Sequence, residues 1–137
     1  MGAETKKYQF EGRMLLEVRS TGAQSVVPPS KHPDNDLYRT KSPNHPTLTI
    51  SLADLYKAAA RTATAALFAR HWQVGGRHEK TLALTGALLN SGWPDNEVIR
   101  FITAVVCAAK DDDEMDRDRA CKDTIKRYRK GTENVTG

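Results

Sequence analysis

Apolar positions follow two regimes along the chain. Between residues 12 and 40 they come in short alternating or paired groups, and from Ser51 onward they recur every three to four residues. In the first regime, "RMLLEVRS" reads as a strand, Thr21-Gly22 as a turn and "AQSVV" as a second strand, which together predict a β-hairpin. "LYRT" is expected to form a third short strand. The strand "AQSVV" has to stop at Pro28-Pro29-Ser30, because proline offers no ladder donor and fixes φ. A sheet this small is marginal alone and needs helices, or material outside this chain, to pack on. Pro43 and Pro46 make "KSPNHPTLT" a linker.

The second regime predicts four helices. Ser51 with Asp54 forms a short-armed capping box ahead of "LADLYKAAARTATAALFARHW", where Leu52, Leu55, Ala59, Ala63, Ala66 and Leu67 share a face. A second helix opens after "VGG" at Arg77, carries Leu82, Leu84, Ala87, Leu88 and Leu89, and ends at "NSG". Pro94 stands where the first turn of a third helix belongs, followed by Asp95 and Glu97 and the apolar Val98, Ile99, Phe101, Ile102, Val105 and Val106. The fourth runs from about Asp113 to Lys130, with Gly131 as its stop. The expectation is a mainly α protein, a four-helix bundle preceded by a small β-hairpin. The expected divisions are a hairpin segment 1–40, a linker 41–50, the bundle 51–131 and a tail 132–137.

Composition narrows the function classes. The chain has 137 residues, 39% of them hydrophobic and 7% aromatic, which fits one domain or a domain with an appendage. It has no apolar run of about 18 residues, so no membrane span is expected. "MGAETKKYQF" has neither the apolar core of a signal peptide nor the hydroxyl residue of a myristoylation site. Cys107 and Cys121 form no metal-spaced pair and read as reduced thiols, which points to the cytoplasm and makes the sequon at Asn134 a chance match. A net charge of +4 favours an anionic partner weakly. Its distribution is more telling, since acidic "DDDEMDRD" is followed by basic "KDTIKRYRKG". That arrangement also suits the dipole of one helix.

Two blocks resemble a known family. "LLEVRSTGAQSVVPPSKHPDNDLY" resembles the closing segment of the catalytic domain in bifunctional primase-polymerases of phages and plasmids, in the archaeo-eukaryotic primase superfamily. The resemblance lies in Glu17, Arg19, Gly22, Val26-Val27, Pro28-Pro29-Ser30, His32-Pro33 and Tyr38. "ALFARHWQVGGRHEKTLALTGALLNSGWPDNEVIRFITAVVCAAKDDDEMDRDR" resembles the helical domain that follows it, through Trp72, Gly75-Gly76-Arg77-His78, Gly86-Ala87, Gly92-Trp93 and the acidic cluster. The final "VTG" fits as well. The resemblance implies a module that holds single-stranded DNA template and nucleotides during primer synthesis. It also implies Mg or Mn in a complete family enzyme, with Glu17 as the third metal-binding acid. The family's paired acids and phosphate-binding Ser/Gly-x-His segment lie upstream of this region, and the chain has too few residues ahead of Glu17 for either. One carboxylate cannot fix both the attacking and leaving oxygens, so no cofactor and no polymerase activity are expected of the isolated chain. "GAQ" also replaces the doubled glycine usual in that turn.

Several residues admit a chemical and a structural reading. Glu17 is either a metal ligand completed in trans or a solvent-facing strand residue beside Leu16 and Val18. "GGRHEK" offers free N–H groups at a helix start, with Arg77, His78 and Lys80 as anion partners; alternatively the glycines join two helices and Arg77 pairs with an acid of the fourth helix. Trp72 either stacks on a base or packs in the bundle, and Trp93 reads as packing. Lys126, Arg127, Tyr128, Arg129 and Lys130 either track a phosphate backbone or form a solvated helix end. "DDDEMD" lacks the EF-hand glycine and reads as a helix start. The resemblance makes Arg70, Arg77, His78, Lys80, Arg100 and Arg127 the candidate DNA or nucleotide contacts. A different class of function is a protein-interaction module, in which the hairpin edge docks on a separate catalytic primase or helicase subunit.

Overall fold

The computed structural model describes residues 4–40 and 49–131. The chain is mainly α, with two antiparallel strands, β1 (Lys6–Phe10) and β2 (Arg13–Val18), ahead of four helices. These are α1 (Leu52–Arg70), α2 (Arg77–Asn90), α3 (Asp95–Ala108) and α4 (Glu114–Lys130). Internal contacts divide the chain into two units, Met1–Ala59 and Ala60–Gly137. The predicted linker 41–50 lies almost wholly outside the described residues, as does the tail 132–137 with its "VTG" and Asn134 sequon.

The hairpin forms, but with a different partner strand from the one the sequence suggested. β2 covers the predicted "RMLLEV", and it pairs with β1 ahead of it, in a register that sets Tyr8 opposite Leu16 and Phe10 opposite Arg13. The turn is Glu11-Gly12, with φ of 48° and 72°. Two residues at positive φ match the right-handed twist of the flanking strands, and glycine adopts that conformation without a Cβ penalty. "AQSVV" is not a strand: Val26 and Val27 are 59% and 61% exposed. The Pro28-Pro29 pair that follows supplies no ladder donors, so a partner there would have had little to pair with. "LYRT" is no strand either, since Leu37 makes only an isolated bridge to Lys31. Within this first unit the hairpin meets the start of α1. The Tyr8 hydroxyl donates to the Tyr56 carbonyl at 2.9 Å, and Lys6 Nζ lies 4.9 Å from the centre of the Tyr56 ring.

All four helices begin within a residue of where the sequence expects them, and α1 stops at Arg70, two residues short of the expected Trp72. Ser51 Oγ accepts from the Asp54 N–H at 3.1 Å and donates to its carboxylate at 2.6 Å, closing the cap of α1. Ser51→Ala is expected to lower the stability of that helix by about 1 kcal/mol, read as faster amide exchange at residues 52–55. Exchange unchanged there would show that the hydroxyl does not hold the helix start. In α4, the Asp113 side chain accepts from the Asp116 N–H at 3.2 Å, and Gly131 ends the helix at φ 66°.

The core of the second unit is centred on α3. Val98, Phe101, Ile102, Val105 and Val106 are buried at helical spacing, against Leu89 of α2 and Cys121 and Ile125 of α4. The inner face of α2 differs from the expected leucine stripe. It is made by Thr81, Thr85, Gly86 and Leu89, while Leu82, Leu84 and Leu88 are half-buried and Ala87 is exposed. Small side chains at 85 and 86 leave room for another helix to approach, which a leucine would deny. From Ala60 onward α1 lies against α3, with Phe68 edge-on to Phe101 at 6.2 Å. Arg61 pairs with Glu97 and stacks 4.2 Å above Trp93, whose edge meets Phe101. No helix among the described residues is long and apolar enough to cross a membrane. Neither cysteine is in a disulfide: Cys107 is exposed and Cys121 is buried.

Candidate nucleic-acid interface

Two groups of charges lie at opposite ends of α4, and they behave differently. The first surrounds its N-terminus, where the sequence raised the possibility of a phosphate cradle. Gly75 and Gly76, at φ 84° and 79°, turn the chain into α2. Arg77, the first residue of that helix, does not face outward. Its Nη1 donates to Asp111 at 3.1 Å and also bonds Asp112, and only 12% of its side chain is exposed.

Asp111 is the centre of this cluster. Its side chain is fully buried, and one oxygen accepts from Trp72 Nε1 at 2.8 Å and from Arg117 Nε at 3.2 Å. The other accepts from Arg77 and from the Asp113 N–H at 3.1 Å. A carboxylate has about four lone-pair positions, and all are filled. Burial works against its ionisation. Hydrogen bonds from Trp72, the Asp113 N–H and Arg117, with the charge of Arg117, outweigh that and hold its pKa below the ordinary aspartate value.

The neighbouring candidates are engaged in the same way. His78 Nδ1 lies 3.0 Å from Asp116, which also pairs with Arg117. The hydrogen bond with His78 is the main reason that the Asp116 pKa is lowered. Lys80 Nζ donates to the His71 carbonyl at 2.9 Å. The Glu79 carboxylate lies 3.9 Å from where a Cβ on Gly76 would stand, so the helix's own acid sits beside the N-terminal amides. "GGRHEK" therefore has its cations occupied by acids and backbone of the same unit. Trp72, 4% exposed, is packed in the core with its N–H on Asp111, so its ring is not offered to a base.

The second group occupies the C-terminal half of α4. Between Thr124 and Gly131 the sequence has four cations and no acid. Ile125 is buried and Tyr128 is half-buried, with its hydroxyl donating to the Leu89 carbonyl at 3.3 Å. Arg129 is bound to Asp95 at 2.5 Å, which raises its pKa. Lys126, Arg127 and Lys130 are exposed and make no ion pair among the described residues. Lys122, one turn earlier on the same face, is exposed but paired with Asp118 at 2.7 Å.

The remaining candidates are not gathered into this group. Arg70 is exposed at the end of α1, near the Asp111 cluster in sequence connection but outside its bonds. Arg100 is exposed on α3, lining a groove of about 300 Å³ with Arg61 and Glu97. Glu17 belongs to the other unit, where Arg19 Nε donates to it at 2.8 Å and Lys7 Nζ lies 3.9 Å away. The bond from Arg19 chiefly lowers its pKa. Cations, not further carboxylates, surround Glu17, and no group of three or more His, Cys, Asp or Glu among the described residues could hold a metal ion. The described residues around Glu17 do not fit a two-metal site. Lys126 and Lys130 stand exposed beside Arg127, in a run whose lack of acids is visible in the sequence. Compared with protein-family models, with curated proteins and with solved structures, the chain matches none.

Proposed function

We propose that the chain is a DNA-binding helical module of a mobile-element primase-polymerase, with residues 12–40 corresponding to the end of its catalytic domain. Its part in primer synthesis is to hold template DNA by charge and position, not to transfer phosphoryl groups. The observation that carries this reading is the group of three exposed cations, Lys126, Arg127 and Lys130, on one end of α4, which make no ion pair among the described residues. The two sequence blocks that resemble the primase family supply its biological setting. Mg or Mn belongs to the complete enzyme in this reading, held by residues outside this chain.

Titrating labelled single-stranded DNA with the full chain, followed by fluorescence anisotropy, tests the reading. About three phosphate contacts give a slope near −2 in log K against log salt, so raising salt from about 50 to 200 mM weakens binding about 20-fold. No binding at the lower salt would sink it. A second reading has its own support. The two-stranded sheet has an open edge on each side among the described residues, and such edges accept strands from a partner. On that reading the chain docks on a separate primase or helicase subunit, and co-purification with that subunit would require intact β1 and β2.

A further inference from the structure

We infer that the basic face of α4 reads the phosphate backbone alone, and so takes double-stranded DNA in preference to a single strand of the same sequence. This rests on the DNA-binding reading above and adds which form of DNA the surface fits. Sequence-tolerant recognition of single strands uses aromatic faces on which bases stack. The two aromatics at this end of the bundle are half-buried and engaged within the protein. Tyr128 is half-buried, its hydroxyl is held by the Leu89 carbonyl, and the Arg129 guanidinium lies 5.6 Å from its ring centre. Trp93 has the Arg61 guanidinium 4.2 Å above its ring, and Phe101 lies at 5.5 Å in an edge-on arrangement. Each ring already has an arginine by one face.

What remains exposed is charge on a straight rod. Lys126 and Lys130 are four residues apart, about 6 Å along one side of the helix, with Arg127 beside them; Lys122, one turn earlier, is paired with Asp118 and adds no free charge. Over that length of about 6 Å, duplex DNA presents about three to four phosphate charges and a single strand about two. Each contact also releases more condensed counterion from the duplex, about 0.9 against 0.7. With no stacking to compensate, the duplex is favoured. The acids at the other end of α4, Asp112, Asp113 and Glu114, are exposed and repel a polyanion there, which confines it to the C-terminal half.

The test is an anisotropy titration of the full chain with one mixed-sequence oligonucleotide, presented as a single strand and as its annealed duplex. At about 50 mM salt the duplex is expected to bind about five-fold more tightly, with a salt slope near −2.7 against −2.1 for the single strand. The variant carrying Lys126→Gln, Arg127→Gln and Lys130→Gln is expected to lose both, with its thermal melt unchanged because all three side chains are exposed. Tighter binding of the single strand would overturn the inference while the DNA-binding reading stood; a variant that binds duplex as the wild type does would overturn it and remove the three cations as the support of that reading. Binding of neither form at low salt would remove both.

Discussion

Replacing Asp111 by alanine is expected to destabilise the helical unit by about 3–5 kcal/mol. A small domain has only about 5–15 kcal/mol in total, so the loss is a large fraction of it. The size of the effect comes from what is left behind. Arg77 and Arg117 each have only 12% of their side chains exposed, and removing the carboxylate leaves them facing a cavity, with only the more exposed Asp112 and Asp116 as counter-charges. Trp72 Nε1 and the Asp113 N–H lose their acceptor at the same time. Asp111→Asn keeps the shape but turns an NH2 group toward donors, so it too is expected to lose stability. Urea unfolding followed by circular dichroism measures both; a loss below about 1 kcal/mol for the alanine variant would show that the cluster is dispensable.

The same residue sets a pH dependence. Its folded pKa lies below the unfolded value of about 3.9. The stabilisation is therefore complete above that pH and declines as the pH falls toward the folded pKa. In Asp111→Asn, this part of the acid loss should be missing.

Trp72→Ala is expected to cost a similar amount, about 3–5 kcal/mol, by a different route. Trp72 is 4% exposed and belongs to the cluster of Phe101, Ile102, Val105 and Val106, so truncation opens a cavity as well as breaking the bond to Asp111. Trp72→Phe separates the two, because it keeps most of the packing and loses the N–H, leaving about 1–3 kcal/mol. Combining Trp72→Phe with Asp111→Asn should give less than the sum of the single losses, by about 0.5–3 kcal/mol. Additive losses would mean that the indole N–H and the carboxylate act independently.

The helices were legible because every local signal agreed. Ser51-Asp54, Pro94 with Asp95, and Gly131 each marked a boundary, and the α3 positions from Val98 to Val106 gave an unbroken apolar period. The hairpin was legible in kind but not in pairing. "KKYQF" has only Tyr8 and Phe10 as apolar members, and Glu11-Gly12 is less obvious as a turn than Thr21-Gly22, so local pattern favours a valine pair that stays exposed over the strand that forms.

The candidate site was half legible. A run such as "KRYRK" announces exposed charge directly. Whether Arg77 faces solvent depends on a carboxylate 34 residues away, and local pattern does not carry that information. Asp111 was visible as one acid among many in "DDDEMD". Burial, which distinguishes it from Asp112 and Asp113, is a tertiary property.

These facts separate two effects that the sequence leaves joined. Arg77→Ala should weaken folding and leave DNA affinity per folded molecule unchanged, since its guanidinium is committed to Asp111 and Asp112. The most direct measurement is therefore a two-dimensional NMR titration of the isotope-labelled chain with duplex DNA, mapping which amides shift. Shifts centred on residues 122–131, with residues 75–80 undisturbed, are expected. Shifts centred on Gly75 to Lys80 would contradict the account and return the phosphate contact to the start of α2.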